Sequence, residues 1–491
     1  MNFNTLVPGA KLAGQIAQFN TGQMATNGEV SNIAIIDAGA SAGAVDHVLS
    51  GIRAAGGVGW VHSVPVYGFM SKVNPMRAKF AEDFKRIASR NAEAIIKTNM
   101  VDGVIIVGEC EITVAGLLIG CVKCNIPVIV MPNGMNMEFD THAMELNGRV
   151  LANLDPDDVN DEIVRRSNYT GLDNQLNSAT SFFLTLKVMG VAKSIRREGS
   201  GGFAQTCYRA GEQIVKNAAD FVGAKKFFTK QSFQNACAFA LAVGASYNAL
   251  VHIAQIVIAN GNKLGFDVYG EMAKRVPVLL PRESQTVEGV MAIGGEWVIM
   301  KELSALPKII DRDTLVMTGS TLERKLAKVK KPELEAVASV SPLIFVKGTA
   351  CEDGAYIWAQ NMPLQFRGKA WAYSSLEDAD QAVASGHVSE GVVVIHNAIG
   401  ANVSAVAMTI AGMGKSGEIA IVTDGYAEPS DVLVVSMCRP ATHENGAFAN
   451  IQTGDALEID LAKGRFNTNI LAKDQKTRAK RNTVKKPVEN F

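Results

Sequence analysis

The chain has 491 residues, of which 47% are hydrophobic and 20% charged, with 48 Lys and Arg set against 48 Asp and Glu. That length exceeds one ordinary domain of ~150 residues and is enough to bury large cores. The balanced charge excludes a whole-chain pull toward nucleic acid. The basic stretch KDQKTRAKRNTVKK from Lys473 is the local exception, and it reads as a solvated helix and arm.

Taken in order, MNFNTLVPGAKLAG lacks the basic-then-apolar layout of a secretion signal. SNIAIID, GGVGWVHSV, DGVIIVG and IPVIVMP are apolar runs that predict strands. Between them, AVDHVLSGIRAAGG and AKFAEDFKRIASRNAEAIIKTN carry apolar residues at helical spacing. This alternation predicts a layered α/β domain with a mostly parallel sheet. From Asp157 to about Ala336 the pattern turns mostly helical. NACAFALAVGASYNALVHIAQIVIANG approaches the length of a membrane span, but Ser246, Tyr247, Asn248 and His252 interrupt it, so it predicts a buried core helix. After Val337, PLIFVKG, AWAYS, GVVVIHN, EIAIVTDG and ALEIDL predict a β-rich, barrel-like domain. The expected division is 1–340, 341–472 and a basic tail 473–491. Seven scattered cysteines do not form a disulfide framework, so the expectation is a soluble cytoplasmic protein, with no nucleic-acid or membrane partner.

Several short stretches carry chemistry. GASAG, around Ser41, sits between strand and helix. That layout suits a tight turn, an anion loop or a nucleophile elbow. Cys110, in GECEIT, stands between glutamates at a strand end. Cys121 and Cys124 form a CxxC with no second pair for zinc, and core packing is the better reading. EGSGG, with Ser200, Gly201 and Gly202, reads as a glycine turn opening a helix, where a ligand can approach the backbone. TDGYAEPSD places Asp424, Gly425, Glu428 and Ser430 on a loop after a strand.

The order of these stretches resembles one family. EIAIVTDGYAEPSD…GAFANIQTGDALEID is similar to the TDGRFSG…GGPIA…GD-x-I-x-ID signature of the dihydroxy-acid and phosphogluconate dehydratases. FVKGTACEDGAYIW, AWAYSSLEDADQAVASGHVSEGVVVI, NACAFALAVGASYNALVHI and DGVIIVGECEITVAGLLIGCVKCNIPVIVM resemble further segments of it, from about residue 31 to 480. The resemblance implies an α/β N-terminal domain, a β-barrel-like C-terminal domain, an active site between them and a homodimer. Family members eliminate water from vicinal dihydroxy acids. They use an iron–sulfur cluster as Lewis acid, Mg²⁺ held by acidic residues with a modified lysine, and a serine base.

The departures shape the expectation for this chain. Cys110 falls on a cluster-ligating cysteine, but the loop of the first such cysteine is the cysteine-free GASAG, and the third is Ser200. The aspartate and lysine of the CDKT motif are Glu111 and Ile112, the arginine of TDGRFSG is Tyr426, and its base serine is Glu428. The metal-binding glutamate has no clear counterpart in HNAIGANVSAVAM. Serine is a poor ligand for a soft iron site. The expected protein is therefore a divergent hydro-lyase-like homologue without the cluster, acting on or binding a small hydroxy or sugar acid. Glu428 and Glu111 are its candidate catalytic residues. Ser200, Gly201, Gly202, Ser246, Asn248, Asp424 and Gly425 are candidate binding residues. Mg²⁺ is left open, with Glu111 and Cys110 as candidate metal ligands. The alternative is a non-catalytic homologue serving as a ligand-binding or partner subunit.

Overall fold

The computed structural model describes residues 30–67, 80–135, 172, 174–330, 336–338, 341–359, 362–428 and 430–481. Its first layer is a parallel sheet of β1 (Asn32–Ala38), β2 (Val58–Ser63), β3 (Gly103–Gly108) and β4 (Val128–Pro132), in the order β2-β1-β3-β4. Strands β3 and β4 are buried along their whole length, as expected when helices cover both faces of a parallel sheet.

α1 (Ala44–Ala54) joins β1 to β2, α2 (Ala81–Thr98) leads into β3, and α3 (Glu111–Cys124) follows it. Ile33, Ile35, Ile105 and Ile129 face α1 and a later helix, while Ala34, Ile36, Val104 and Ile106 join the larger core on the opposite face. α2 and α3 pack closely because Gly116 and Gly120 face α2. A β-carbon on Gly116 would stand 2.4 Å from the Lys85 carbonyl oxygen, and one on Gly120 would stand 2.5 Å from that of Ser89.

A helical layer follows: α4 (Ser178–Val188), α5 (Gly201–Ala219), α6 (Lys230–Val243), α7 (Tyr247–Ala259), α8 (Val268–Ala273), α9 (Val287–Ala292), α10 (Glu296–Leu303) and α11 (Leu322–Ala327). The apolar stretch predicted as one core helix is two. Gly244 takes a left-handed conformation (φ 69°) and closes α6, and α7 begins three residues later. No helix among the described residues is long and apolar enough to cross a membrane.

The second layer is a closed barrel built from β5 (Leu343–Gly348), β6 (Cys351–Trp358), β7 (Gln365–Tyr373), β8 (Gly391–Ile395), β9 (Ile419–Thr423), β10 (Val434–Arg439), β11 (Ala456–Asp460) and β12 (Arg465–Thr468), ordered β10-β6-β5-β12-β11-β7-β8-β9. Val346, Ile357, Val394, Val422, Val435 and Phe466 fill its interior. α12 (Leu376–Ala384) and α13 (Ser404–Gly412) connect the parallel strands β7, β8 and β9 and cover their outer side. The basic segment begins in α14 (Ala472–Arg481), and residues 482–491 lie outside the described residues.

This order puts β1 and β3 side by side, with the chain running outward from them in both directions. In such sheets ligands bind in the crevice at the carboxyl ends of the strands, where the order reverses. GASAG and GECEIT occupy that end.

Candidate functional site

The strand-end loops of the first domain are stitched to one another. Asn133, just past β4, is fully buried. It accepts from the Ser41 N–H (3.0 Å) and donates to the Gly39 carbonyl (2.7 Å) and to Glu109 (3.1 Å). Ser41 is 4% exposed, and its hydroxyl oxygen accepts from the Gly134 N–H at 3.3 Å. Asp37 accepts from the N–H groups of Gly39 and Ala40. Of the readings open to GASAG, this geometry favours the tight turn: the N–H groups of Gly39, Ala40 and Ser41 and the Ser41 oxygen already serve the fold.

EGSGG joins the same end of the sheet. The Met135 N–H donates to the Arg196 carbonyl and the Met135 carbonyl accepts from the Glu198 N–H, and a β-carbon on Gly134 would stand 2.5 Å from Glu198 Cα. Ser200 is the N-cap of α5. Its oxygen accepts from the Phe203 N–H (3.1 Å) and its hydroxyl donates to the Arg197 carbonyl (2.7 Å). Gly201 and Gly202 are exposed, and among the described residues no atom beyond Ser200 comes near a β-carbon placed on them.

Cys110 is the N-cap of α3, 3% exposed, with its thiol donating to the Tyr67 carbonyl at 3.6 Å among Ala81, Ile112 and Phe84. All seven cysteines lie in the described residues, and the other six are elsewhere: Cys121 and Cys124 in α3, Cys207 in α5, Cys237 in α6, and Cys351 and Cys438 in the barrel. Cys207 is fully buried between sheet and helices, and burial pushes its thiol up to about 12. Burial likewise pushes Cys121 well above its ordinary value. A thiol held neutral in this way packs as a small apolar group.

A second group of side chains meets where the barrel touches the helical layer. The loop after β9 brings Tyr426 and Glu428 against α7. Ser246, fully buried, donates to Glu428 Oε2 at 2.7 Å, and the Glu428 N–H donates to Ser404 of α13 at 2.6 Å. Tyr426 is 2% exposed, with its ring edge-on to His252 of α7 at 5.6 Å between centroids. Burial, then the neighbouring Glu82, Glu111 and Glu428 carboxylates, push its phenol well above the ordinary value. Glu111, in the first turn of α3, is 1% exposed. Glu82 pairs with the buried Lys85 at 2.5 Å, and Lys85 also donates to Gln255 of α7 at 2.6 Å. Gly400 closes over this group, because a β-carbon there would stand 2.2 Å from Glu82 Cγ.

The sequence-derived candidates thus separate. Glu428 and Glu111 lie near Tyr426 at the junction, with Ser246 bonded to Glu428 and Asn248 in the first turn of α7. Ser200, Gly201 and Gly202 belong to the strand-end loops. Asp424 and Gly425 hold the junction loop in shape. Asp424 accepts from the N–H groups of Ala398 (2.8 Å) and Thr442 (3.0 Å), and a β-carbon on Gly425 would stand 2.6 Å from the Ala398 carbonyl. Sequence reasoning passed over Tyr426 as a site residue, and over Asn133, Lys85 and Glu82. The Pro-Asn-Gly run after β4 was the one local signal for Asn133, as a turn signature.

A parallel α/β domain is joined here to a closed barrel, with polar side chains meeting where the barrel touches the helical layer. The family models for the dihydroxy-acid/6-phosphogluconate dehydratase N-terminal and C-terminal domains match residues 40–325 and 328–490. The chain belongs to that family. It is similar to a dihydroxy-acid dehydratase of Ruminiclostridium cellulolyticum, 24% identical over 80% of this chain and 77% of the relative. A dihydroxy-acid dehydratase of Carboxydothermus hydrogenoformans is 24% identical over 90% of this chain and 86% of the relative. One from Saccharolobus solfataricus is 26% identical over 79% and 75%.

Proposed function

We propose that this chain is a divergent hydro-lyase-like member of the family that acts on a small hydroxy or sugar acid at the junction, without an iron–sulfur cluster. The observation that carries the reading is the Glu428–Ser246 pair, a carboxylate from the barrel domain held at 2.7 Å by a buried serine of the helical layer. Glu428 stands where the resemblance places a catalytic base. A carboxylate fixed there can take a proton from the carbon next to a substrate carboxylate, and the neighbouring hydroxyl then leaves as water once a proton is returned to it. Glu111 lines the same space.

The donor set does not fit a cluster. Only Cys110 of the seven thiols stands at the strand ends. The GASAG loop offers Ser41, whose oxygen holds Gly134, and Ser200 caps α5. Among the described residues no three His, Cys, Asp or Glu side chains converge as a metal centre. A Mg²⁺ ion bound through Glu111 therefore draws ligands from elsewhere in the chain or from the substrate. Family membership extends the proposal to a cytoplasmic homodimer.

The second reading is a non-catalytic homologue that binds a ligand or pairs with an active subunit. It is favoured by the commitment of Ser41, Asn133 and Ser200 to structural bonds in loops that the resemblance assigns to chemistry. Glu428→Gln separates the two. The lyase reading expects loss of turnover on a panel of aldonic acids with the fold intact, whereas turnover retained by this variant would remove Glu428 from the chemistry.

A further inference from the structure

The outer wall of the barrel carries a pair of cations that its neighbours do not balance. Elsewhere on that wall cations meet carboxylates. Arg367 of β7 stands opposite Glu458 of β11 and pairs with it at 2.5 Å, Lys463 pairs with Asp460 at 3.0 Å, and Arg478 of α14 pairs with Asp455 at 2.6 Å. Between β5 and β12 the pattern breaks, because the parallel pairing of these strands sets Lys347 beside Arg465. Both side chains point outward, since the adjacent residues Val346 and Phe466 fill the barrel interior. Both are exposed, and among the described residues neither has a carboxylate within ion-pair distance. Like charges held side by side on a sheet repel, so this pair lowers the stability of the ligand-free fold.

The two cations line a cavity of about 440 Å³ together with Gly348, Thr349, Glu352 and Asn467. Hydrogen bonds fix its wall. Thr349 donates its N–H to Asn467 Oδ1 (3.1 Å) and its hydroxyl to the Thr468 carbonyl (3.1 Å), and its oxygen accepts from the Thr468 N–H (2.9 Å). The β5–β6 turn is thereby pinned to β12. With Asn467 Oδ1 taken, what this side chain offers a ligand is its Nδ2 donor. The Glu352 carboxylate, which accepts from the Ala447 N–H at 3.3 Å, is the acid among the lining residues. A guanidinium fork, an ammonium and an amide donor on a preformed concavity suit a tetrahedral oxyanion. Two cations match two negative charges, which a phosphate supplies near pH 7 and a single carboxylate does not.

We propose that this cavity is a phosphate-binding site, taking either inorganic phosphate or the phosphate group of a small monoester. Arg465 and Lys347 bind the phosphate oxygens, Asn467 Nδ2 donates to one of them, and Glu352 repels a second anionic group. The site is separate from the junction. In the closed barrel β12 stands four strands from β9 in either direction, so the cavity lies across the barrel from the loop that bears Tyr426 and Glu428.

The full-length protein is titrated by calorimetry with inorganic phosphate, with glycerol 3-phosphate and with acetate, at constant ionic strength. At least one phosphate probe is expected to bind at one site per chain, with acetate at least tenfold weaker. Lys347→Gln and Arg465→Gln are each expected to weaken that probe by about tenfold, the effect of one lost hydrogen bond to a charged group. Without phosphate the same variants are expected to raise Tm by about 1 °C, since each relieves the repulsion. Glu352→Gln is expected to tighten phosphate by about threefold. The basic helix α14 touches the β5–β6 turn through Gln475, which donates to the Thr349 carbonyl at 3.4 Å, so Lys476→Gln is the control and is expected to change nothing. Tighter binding of glycerol 3-phosphate than of phosphate would assign the site to an ester, and equal binding to the free ion. Lys476→Gln weakening phosphate as much as Lys347→Gln would replace the site with a diffuse basic surface and overturn the proposal. So would a Kd above about 10 mM for both phosphate probes, or a lower Tm with unchanged phosphate binding in the two cation variants. Glu428→Gln is expected to leave these affinities unchanged, so this site and the junction reading fail independently.

Discussion

The strand-end loops of the α/β domain and the junction at α7 treat their polar groups in opposite ways. At the strand ends Asn133, Ser41, Asp37 and Ser200 are spent on neighbouring backbone, and the loops close on themselves. At the junction Asn248 and Tyr426 are as deeply buried yet have no partner among the described residues. Burial alone therefore does not distinguish a site from a structural knot. Within one family fold, the lobe expected to hold a cluster spends its polar groups on the fold, and the lobe facing the barrel leaves two of them without a partner among the described residues.

The largest effect that can sharpen this contrast is on chemistry. Glu428→Gln is expected to lower turnover by about 10²–10⁴, the usual contribution of a general base, with the far-UV spectrum and Tm little changed. Retained turnover would erase the distinction between the two regions. On the other side, Asn133→Ala is expected to destabilise by about 3 kcal/mol, because it abandons three hydrogen bonds in a buried place. Urea unfolding measures it, and a loss below about 1 kcal/mol would mean the loops are not held as described. Ser41→Ala should cost less, about 1–2 kcal/mol for the orphaned Gly134 N–H, and should leave ligand binding intact. A nucleophilic Ser41 would instead lose activity without losing stability.

The smallest effect is a pH dependence in the barrel. Burial pushes His396 below its ordinary value of 6.5, partly offset by its contact with the Phe448 carbonyl and by Asp424. The folded protein therefore resists protonation that the unfolded chain accepts. His396 adds no penalty above pH 6.5, and stability is lost as pH falls below it. Unfolding at pH 7.5 and 5.5 should show this slope, and His396→Gln should reduce it.

Much of this was legible in the sequence. Strands β1, β3 and β4 of the first domain are two-sided apolar runs beside amphipathic helices, and such patterns survive without any partner's help. The break between α6 and α7 was not legible, since the polar residues after Gly244 read as interruptions of one helix and only the left-handed φ of Gly244 reveals the stop. β6 was missed because Glu352 and Asp353 are exposed at its start and mask the buried run that follows. The site was half legible. Glu111 and Glu428 were visible as altered motif positions, but Ser246 and Glu428 are 182 residues apart, and no local pattern encodes their bond. Ser41 stood out as a motif, yet its oxygen serves Gly134, a residue of another strand end. Hydrogen-bond satisfaction is a property of the assembled fold, so the distinction between knot and site had to wait for the structure.

The most direct test of the central claim is the iron and acid-labile sulfide content of protein purified without oxygen, read together with its visible absorption spectrum. The account predicts no stoichiometric iron or sulfide and no cluster absorption, in a protein that still binds a hydroxy acid at the junction. Stoichiometric iron and sulfide with a cluster spectrum would contradict it, and would show that Cys110 finds cluster partners among groups assigned here to the fold.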